Sequence, residues 1–215
     1  MKIADCGSTW VKILDVGSGT LDIIPTKELV RRSDLFFEMA TGHSGRRRCR
    51  EYKNELIALA EGGLSMVDTG DFSLVDVGGR DIKFVRFKDR KVEKLDWNLA
   101  CGSTTGATVE LLVGYYGLTF GDLAPAKDWI TITCGVFGME RVLEAISTGT
   151  PPDRAISMFL HGLVRNVYYF AGRPERIYLS GGFCESTCFL GTLEEYCNVT
   201  PLGRTVPLEG LKKDL

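Results

Sequence analysis

Apolar residues flank a glycine-containing turn at two places in the chain. The flanking apolar positions are Ile3, Val11 and Ile13 at the first place, and Leu74, Val75, Ile82 and Phe84 at the second. Short apolar runs on both sides of such a turn are typical of two strands joined as a β-hairpin. The pattern therefore predicts one hairpin at the N-terminus and a second one about a third of the way along the chain.

Helical spacing of apolar residues follows two cysteines and recurs in a later segment. The apolar positions are Ala107, Leu111 and Leu112 after Cys101, and Met139, Val142, Leu143 and Ile146 after Cys134. The segment 156–170 has the spacing of a largely buried helix, so we interpret His161 as a core or capping residue and not as a ligand. A short β-type run then ends at Gly181-Gly182. We interpret the chain as two α/β halves, residues 1–70 and 71–215.

The two predicted hairpins superimpose at an offset of 71 residues, the difference between positions 5 and 76. Three pairs recur in register: Asp5 with Asp76, Gly7 with Gly78, and Lys12 with Lys83. Glycine in the turn lets backbone N–H groups approach a phosphate, and a carboxylate at the strand end can hold Mg²⁺. An acidic residue before a glycine turn is common in any hairpin, but recurrence in register favours a phosphate site.

The composition and the balance of charge are typical of a globular protein and exclude some classes of function. The chain has 215 residues, 44% of them apolar, with 26 basic and 28 acidic residues, so we expect a globular protein and no nucleic-acid partner. Arg46 to Arg48 and Arg50 form a basic run, which is a solvated face, a docking surface for an acidic redox partner, or a nucleotide contact. The early Asp5 argues against a signal peptide, and glycines interrupt the longest weakly charged stretch, so we expect a cytoplasmic protein without a membrane segment.

Five motifs in order carry a resemblance to a known family. They are Asp5-Cys-Gly-Ser-Thr-Trp-Val-Lys12, Asp76-Val-Gly-Gly-Arg-Asp-Ile-Lys83, Cys101-Gly-Ser-Thr-Thr-Gly106, Cys134-Gly-Val-Phe137 and Gly181-Gly182. This series resembles the activator ATPases of 2-hydroxyacyl-CoA dehydratases and benzoyl-CoA reductases. Those proteins belong to the superfamily of actin, the heat-shock chaperone ATPases and the sugar kinases. The resemblance implies an α/β fold of two ribonuclease H-like half-domains with a nucleotide cleft between them.

The same resemblance implies an activity and its cofactors. ATP hydrolysis with Mg²⁺ would drive an electron from a 4Fe-4S cluster into a dehydratase- or reductase-like acceptor, and a ferredoxin- or flavodoxin-like donor would replace it. Cys101 and Cys134 match the cluster ligands, and because one chain supplies only two thiolates, a homodimer would be needed. Asp5, which would also hold Mg²⁺, and Asp76 match the catalytic positions. The implied ATP contacts are Gly7, Ser8, Thr9, Lys12, Gly78, Gly79, Lys83, Gly181 and Gly182.

Departures from the family keep two other functions open. Arg80 stands where the family usually has Gln, Thr104 replaces a Gly, and the C-terminal Pro and Gly residues argue against a long closing helix. The alternatives are a cluster-free ATP-binding adaptor or sensor and a small-molecule kinase of the same superfamily. The Cys184 and Cys188 pair is interpreted as packing, and Cys6 as a small apolar filler.

Overall fold

The structure is a computed structural model that describes residues 1–98 and 105–215. Its strands are β1 Lys2–Cys6, β2 Trp10–Asp15, β3 Leu21–Pro25, β4 Phe37–Thr41, β5 Cys49–Tyr52, β6 Phe72–Val77, β7 Ile82–Lys88, β8 Lys91–Asn98, β9 Arg176–Gly181 and β10 Asn198–Gly203. Its α-helices are α1 Thr26–Arg31, α2 Glu55–Met66, α3 Thr105–Tyr115, α4 Gly135–Ser147, α5 Pro152–Phe170, α6 Thr187–Glu194 and α7 Val206–Leu211. Both predicted hairpins and the predicted helices are confirmed.

The chain forms two compact units. The first comprises Met1–Asp71, Val85–Leu95 and Arg204–Leu215, and the second comprises Phe72–Phe84 and Asp96–Gly203. One five-stranded sheet has the order β3-β2-β1-β4-β5, and the other has the order β10-β9-β6-β7-β8. Both sheets contain parallel pairs of strands. In the first sheet β4 runs parallel to β1, and in the second β9 runs parallel to β6. Within the described residues, we find no helix with the length and apolar character needed to cross a bilayer.

In the first unit, helices cover both faces of the sheet. Ile3 and Met39 pack on one face with residues of α2 and α7, whereas Ala4 and Ala40 pack on the other with Leu29 of α1. Asn54 is the N-cap of α2. Its side chain accepts a hydrogen bond from the Leu56 amide at 2.9 Å and so caps the first turn. The Asp5 and Lys12 hairpin thus rests on a sheet buried on two sides.

The C-terminal segment is part of the first unit. The sequence alone grouped it with residues 71–215, but α7 packs on α2, where Gly62 and Gly210 leave no room for a β-carbon against the opposite backbone. The Lys53 ammonium lies 3.1 Å from the Gly210 carbonyl and 2.6 Å from the Asp214 carboxylate, and it also binds Glu61. The closing helix is short, as its Pro and Gly content predicted.

The second unit is built around α5. Its buried residues pack against β6, β9 and α6, and Phe159, Leu160 and Leu163 are fully buried. His161 is 2% exposed, with Nδ1 2.6 Å from the Ala126 carbonyl and Nε2 2.5 Å from the Tyr196 hydroxyl. Both ring nitrogens therefore have protein partners, and the predicted core position of this histidine is confirmed.

Candidate nucleotide and cluster sites

The first hairpin brings a carboxylate and an ammonium group together beside its turn. Asp5 lies near the end of β1, is only 7% exposed, and stands opposite Lys12 in the antiparallel register of β1 and β2. The Lys12 Nζ atom lies 2.8 Å from the Asp5 Oδ2 atom. In water-poor surroundings such a pair is held by a charge-assisted hydrogen bond. The ion pair fixes both candidate residues beside the turn.

The turn itself, residues 7–9, is held by the chain that follows β3. The Thr26 hydroxyl donates to the Gly7 carbonyl at 2.9 Å, and the Thr26 amide donates to the Thr9 carbonyl at 2.8 Å. A β-carbon on Gly7 would lie 2.8 Å from the Trp10 carbonyl oxygen, so the turn is as tight as a glycine permits. Ser8 is exposed at its tip. This close backbone is a suitable surface for a phosphate.

A strand that the sequence did not connect to this hairpin also reaches it. Thr41 ends β4 and is the register partner of Asp5 on β1, because the two strands are parallel. The next residue, Gly42, has a φ of +86° and packs directly on the backbone of Cys6. Thr41 is fully buried, and its Oγ1 atom has no hydrogen-bond partner among the described residues.

The second hairpin uses the repeated residues with different partners. The Asp76 Oδ1 atom accepts a hydrogen bond from the Ser180 hydroxyl at 2.6 Å. The Lys83 Nζ atom lies 2.6 Å from Asp81 Oδ1 and 3.9 Å from Asp76 Oδ2. The Gly78 amide donates to the Asp81 carbonyl at 2.9 Å and closes the turn. One lysine thus faces two carboxylates.

Asp81 is a residue of this hairpin that the sequence analysis missed. It is 6% exposed, and it occupies the position that Trp10 holds in the first copy of the repeat. The Asp76-Val-Gly-Gly-Arg-Asp81 string contains the signal, since a second carboxylate two residues before Lys83 lies on the same strand face. The Lys83 ammonium also lies 5.1 Å from the centroid of the Trp97 ring.

The third glycine turn lies beside the second hairpin. Gly181 is the register partner of Val77, directly after the pair formed by Ser180 and Asp76. Its φ is +103°, and a β-carbon there would lie 2.5 Å from the Val77 carbonyl oxygen, so this position requires glycine. Gly79 is tied to α3, since its carbonyl accepts from the Ala107 amide at 2.8 Å. The structure therefore brings together the predicted residues of the second hairpin and the third turn.

Cys134 occupies the position predicted for a thiolate ligand, whereas Cys101 lies outside the described residues. Cys134 is half-buried and is the residue before the first turn of α4. Two hydrogen bonds fix the segment leading to it on α5. The Ile130 backbone amide donates to the Met158 carbonyl at 3.0 Å, and the Asn166 side-chain amide donates to the Ile132 carbonyl at 2.9 Å. A helix N-terminus favours a negative charge, so the location fits a thiolate that ligates iron.

Three further cysteines, Cys6, Cys184 and Cys188, pack in or against the hydrophobic core. Burial raises the pKa of Cys184 to about 11, and its thiol donates to the Leu179 carbonyl at 3.1 Å. Burial also raises the pKa of Cys188, which is fully buried, and raises that of Cys6 to about 12. These thiols are poor thiolate donors, as the packing interpretation expected. Across the described part of the chain, no three His, Cys, Asp or Glu side chains converge as a metal site.

Two curated relatives match most of the chain. One is the (R)-2-hydroxyglutaryl-CoA dehydratase activating ATPase of Acidaminococcus fermentans, which is 25% identical over 77% of this chain and 68% of its own length. The other is the activator of lactoyl-CoA dehydratase of Anaerotignum propionicum, which is 21% identical over 81% of this chain and 74% of its own. No protein-family model matches. The relatives confirm the resemblance to dehydratase activators.

A solved structure confirms the fold. The activator of the 2-hydroxyisocaproyl-CoA dehydratase from Clostridium difficile, solved with bound ADPNP, superimposes with a TM-score of 0.75 over 98% of this chain and 92% of that one, at 17% identity. The chain therefore has the predicted α/β architecture with two half-domains of the actin-like ATPase fold. Carboxylates and tight glycine turns are the kinds of group that can ligate Mg²⁺ and contact phosphate.

Proposed function

We propose that this protein is an ATP-hydrolysing iron–sulfur activator that delivers a low-potential electron to an acyl-CoA dehydratase- or reductase-like acceptor. The observation that carries the proposal is the recurrence of a buried aspartate–lysine arrangement at the turn of one hairpin in each unit. The relatives named as activators, one of them an activating ATPase, support the acceptor class and the hydrolysis.

The hairpin residues have complementary roles toward ATP. Asp5 and Asp76 would hold Mg²⁺ or orient the attacking water, and Lys12 and Lys83 would offset phosphate charge. In the free protein both ammonium groups are held by carboxylates, at 2.8 Å for Lys12 and 2.6 Å for Lys83. An incoming phosphate competes for these lysines and frees carboxylate oxygens for the metal. Positioning and electrostatics of this kind supply most of the catalysis in phosphoryl transfer.

The turn residues supply backbone contacts to the phosphates and the nucleoside. Gly7, Ser8 and Thr9 form the first turn, and Gly78 and Gly79 form the second. Gly181 and Gly182 lie beside the second turn, where a side chain at Gly181 would meet the Val77 backbone. We assign the nucleoside half of ATP to this third turn because it presents bare backbone at the end of a buried strand.

The cluster would be held by Cys101 and Cys134 of two chains. A four-iron cubane needs four ligands, and the resemblance assigns two cysteines per chain to it, so a symmetric pair of chains would complete the set. Val136 and Phe137 follow Cys134 and are 66% and 62% exposed, which fits burial of this end of α4 by a second copy. When bound, the cluster supplies the electron, and a ferredoxin- or flavodoxin-like protein restores it.

Iron and sulfide analysis of anaerobically prepared protein tests the proposal. We expect equal iron and acid-labile sulfide, about two of each per chain, since a dimer shares one four-iron cluster. Cys101→Ser and Cys134→Ser should each lose the iron. Cys184→Ser is the matched control and should keep it, because its thiol is partly buried and donates to the Leu179 and Gly203 carbonyls. Iron near zero after reconstitution would contradict the activator function and favour a cluster-free adaptor or a kinase.

Sizing of the holo protein against chelator-treated protein tests the shared cluster. We expect a dimer that weakens when iron is removed, because the cluster bridges two chains. The same runs with and without ATP show whether nucleotide changes the association. A monomer that keeps a full four-iron cluster would show that its own chain supplies all the ligands.

A further inference from the structure

The Thr41 hydroxyl is an exception to the usual pairing of buried polar groups. The residue is fully buried, and Oγ1 has no hydrogen-bond partner in the part of the chain that the structure describes. A buried hydroxyl without a partner loses its hydrogen bond to water and gains none in the folded protein, which destabilises the fold. Most such groups in folded proteins are paired, so each unpaired one calls for a physical reason. Valine has nearly the same shape and would fill the position without this cost.

The position of Thr41 supplies the reason. Thr41 and Asp5 are register partners on parallel strands, and side chains of such partners leave the same face of a sheet. Both lie at the carboxyl ends of β1 and β4, on the face where Ile3 and Met39 pack with α2 and α7. The Thr41 hydroxyl is therefore directed to the same face and the same end of the sheet as the Asp5 carboxylate.

The backbone around Thr41 holds it in this place. Gly42 packs on the backbone of Cys6, and the Ser44 amide donates to the Cys6 carbonyl at 3.3 Å. The Gly45 amide closes the loop on the Gly42 carbonyl at 3.0 Å. The loop after β4 is thus fastened to the end of β1. Thr41 cannot move away from Asp5 without breaking these contacts.

Asp5 has a partner in the free protein that nucleotide would compete for. Its Oδ2 atom binds the Lys12 ammonium at 2.8 Å, and its side chain is only 10% exposed. If Lys12 turns to a phosphate oxygen, the carboxylate keeps its charge and loses its bonded cation. A buried carboxylate in that state needs another donor. The hydroxyl on the adjacent strand is such a donor.

We propose that Thr41 is a positioning residue of the nucleotide site, whose hydroxyl donates a hydrogen bond to the Asp5 carboxylate when Lys12 has moved to a phosphate. The inference rests on the proposed function, since it needs Mg²⁺ and ATP at the Asp5 hairpin. The proton stays on the threonine oxygen, and no covalent bond changes. The hydroxyl then fixes the carboxylate in the orientation that the metal requires.

The test compares Thr41→Val and Thr41→Ser with the parent protein. Thermal unfolding is measured without nucleotide and then with Mg²⁺ and a non-hydrolysable ATP analogue, and hydrolysis is measured across a Mg²⁺ titration. Thr192→Val is the matched control, because Thr192 is also fully buried but its hydroxyl donates to the Cys188 carbonyl at 2.7 Å. This control should unfold at a lower temperature than the parent, and the rise in unfolding temperature on nucleotide binding should be unchanged.

The proposal expects opposite effects of Thr41→Val in the two states. Without nucleotide the variant should melt at or above the parent temperature, because no hydrogen bond is lost. The stabilisation by Mg²⁺ and the analogue should shrink, and kcat should fall about tenfold or more, the usual value of a hydrogen bond to a charged group. Half-maximal hydrolysis should need more Mg²⁺. Thr41→Ser, which keeps the hydroxyl, should restore these readouts.

Two results would overturn the proposal. One is Thr41→Val melting well below the parent without nucleotide while Thr41→Ser does not, which would show that the hydroxyl already has a structural partner. The other is Thr41→Val with parental nucleotide stabilisation and parental Mg²⁺ dependence. Either result leaves the proposed function intact. If the parent protein itself shows no Mg²⁺-dependent nucleotide stabilisation, the proposed function fails, and the positioning role fails with it.

Discussion

The two acidic hairpins share aspartate, glycine and lysine in register, but they neutralise their charges differently. In the first, Lys12 binds the repeated Asp5 directly at 2.8 Å. In the second, Lys83 is 2.6 Å from Asp81 and 3.9 Å from the repeated Asp76, whose other oxygen binds Ser180. The difference arises at one position, where the first copy has Trp10 and the second has Asp81.

This difference shows that a repeat in sequence does not fix the partners of the repeated residues. The extra carboxylate draws the lysine away from Asp76, and the neighbouring strand β9 supplies Ser180 in its place. The first hairpin has a simple ion pair beside the buried Thr41 hydroxyl. In the second, Lys83 is shared between two carboxylates, and the partly exposed Arg80 guanidinium lies 3.8 Å from Asp81. The two hairpins therefore differ in their local arrangement of charge.

The largest expected difference concerns the two lysines. Lys83→Gln removes the ammonium group from two nearly buried carboxylates and leaves the partly exposed Arg80 guanidinium 3.8 Å from Asp81. The loss should cost about 3 kcal/mol in the free energy of unfolding. Lys12→Gln leaves one carboxylate and should cost less. Urea unfolding of both variants measures the difference. Adding Asp81→Asn to Lys83→Gln should recover part of the loss; equal losses for the two lysines would contradict the role given to Asp81.

The next difference concerns the turn glycines. A β-carbon on Gly7 would lie 2.8 Å from the Trp10 carbonyl oxygen, whereas one on Gly78 would lie 3.3 Å from the Asp81 carbonyl oxygen. Gly7→Ala forces the backbone to shift and should cost about 1–3 kcal/mol, and Gly78→Ala should cost below about 1 kcal/mol. Denaturant midpoints of the two variants provide the measurement. The reverse order would mean that the first turn is not the tighter one.

The smallest effect is the pH dependence that Cys6 adds to the first hairpin and that the second hairpin lacks. Burial, followed by the nearby Asp5 charge, raises the pKa of Cys6 from 9.0 to about 12, and the equivalent position in the second hairpin is Val77. Between these values the unfolded chain releases the proton while the folded chain keeps it, so stability falls as pH rises. At pH 9.5 the loss should be below about 1 kcal/mol. Cys6→Val should reduce this alkaline decline and leave the part due to Cys184 and Cys188, whose pKa values burial also raises. An unchanged slope would assign the whole decline to groups other than Cys6.

The sequence predicted the elements of the fold better than their partners. Both hairpins, the buried helix with His161 and the glycine turn at Gly181 follow from local spacing, because turns and amphipathic faces are encoded by nearby residues. Asp81 and Thr41 were missed because their importance depends on strand register. The C-terminal segment was grouped with the second half because its contact with α2 is separated from it by more than a hundred residues.

The most direct test is ATP hydrolysis by variants of the two repeated aspartates. Phosphate release with Mg²⁺ is measured for the parent, Asp5→Asn, Asp76→Asn and the control Asp34→Asn, whose side chain is exposed and binds Arg32. Circular dichroism verifies that each variant is folded. We predict that Asp5→Asn and Asp76→Asn each lose about 100-fold or more, because both carboxylates serve the metal or the attacking water, while Asp34→Asn keeps the parent rate. Parental hydrolysis by the two folded repeat variants would contradict the assignment of the hairpins to ATP.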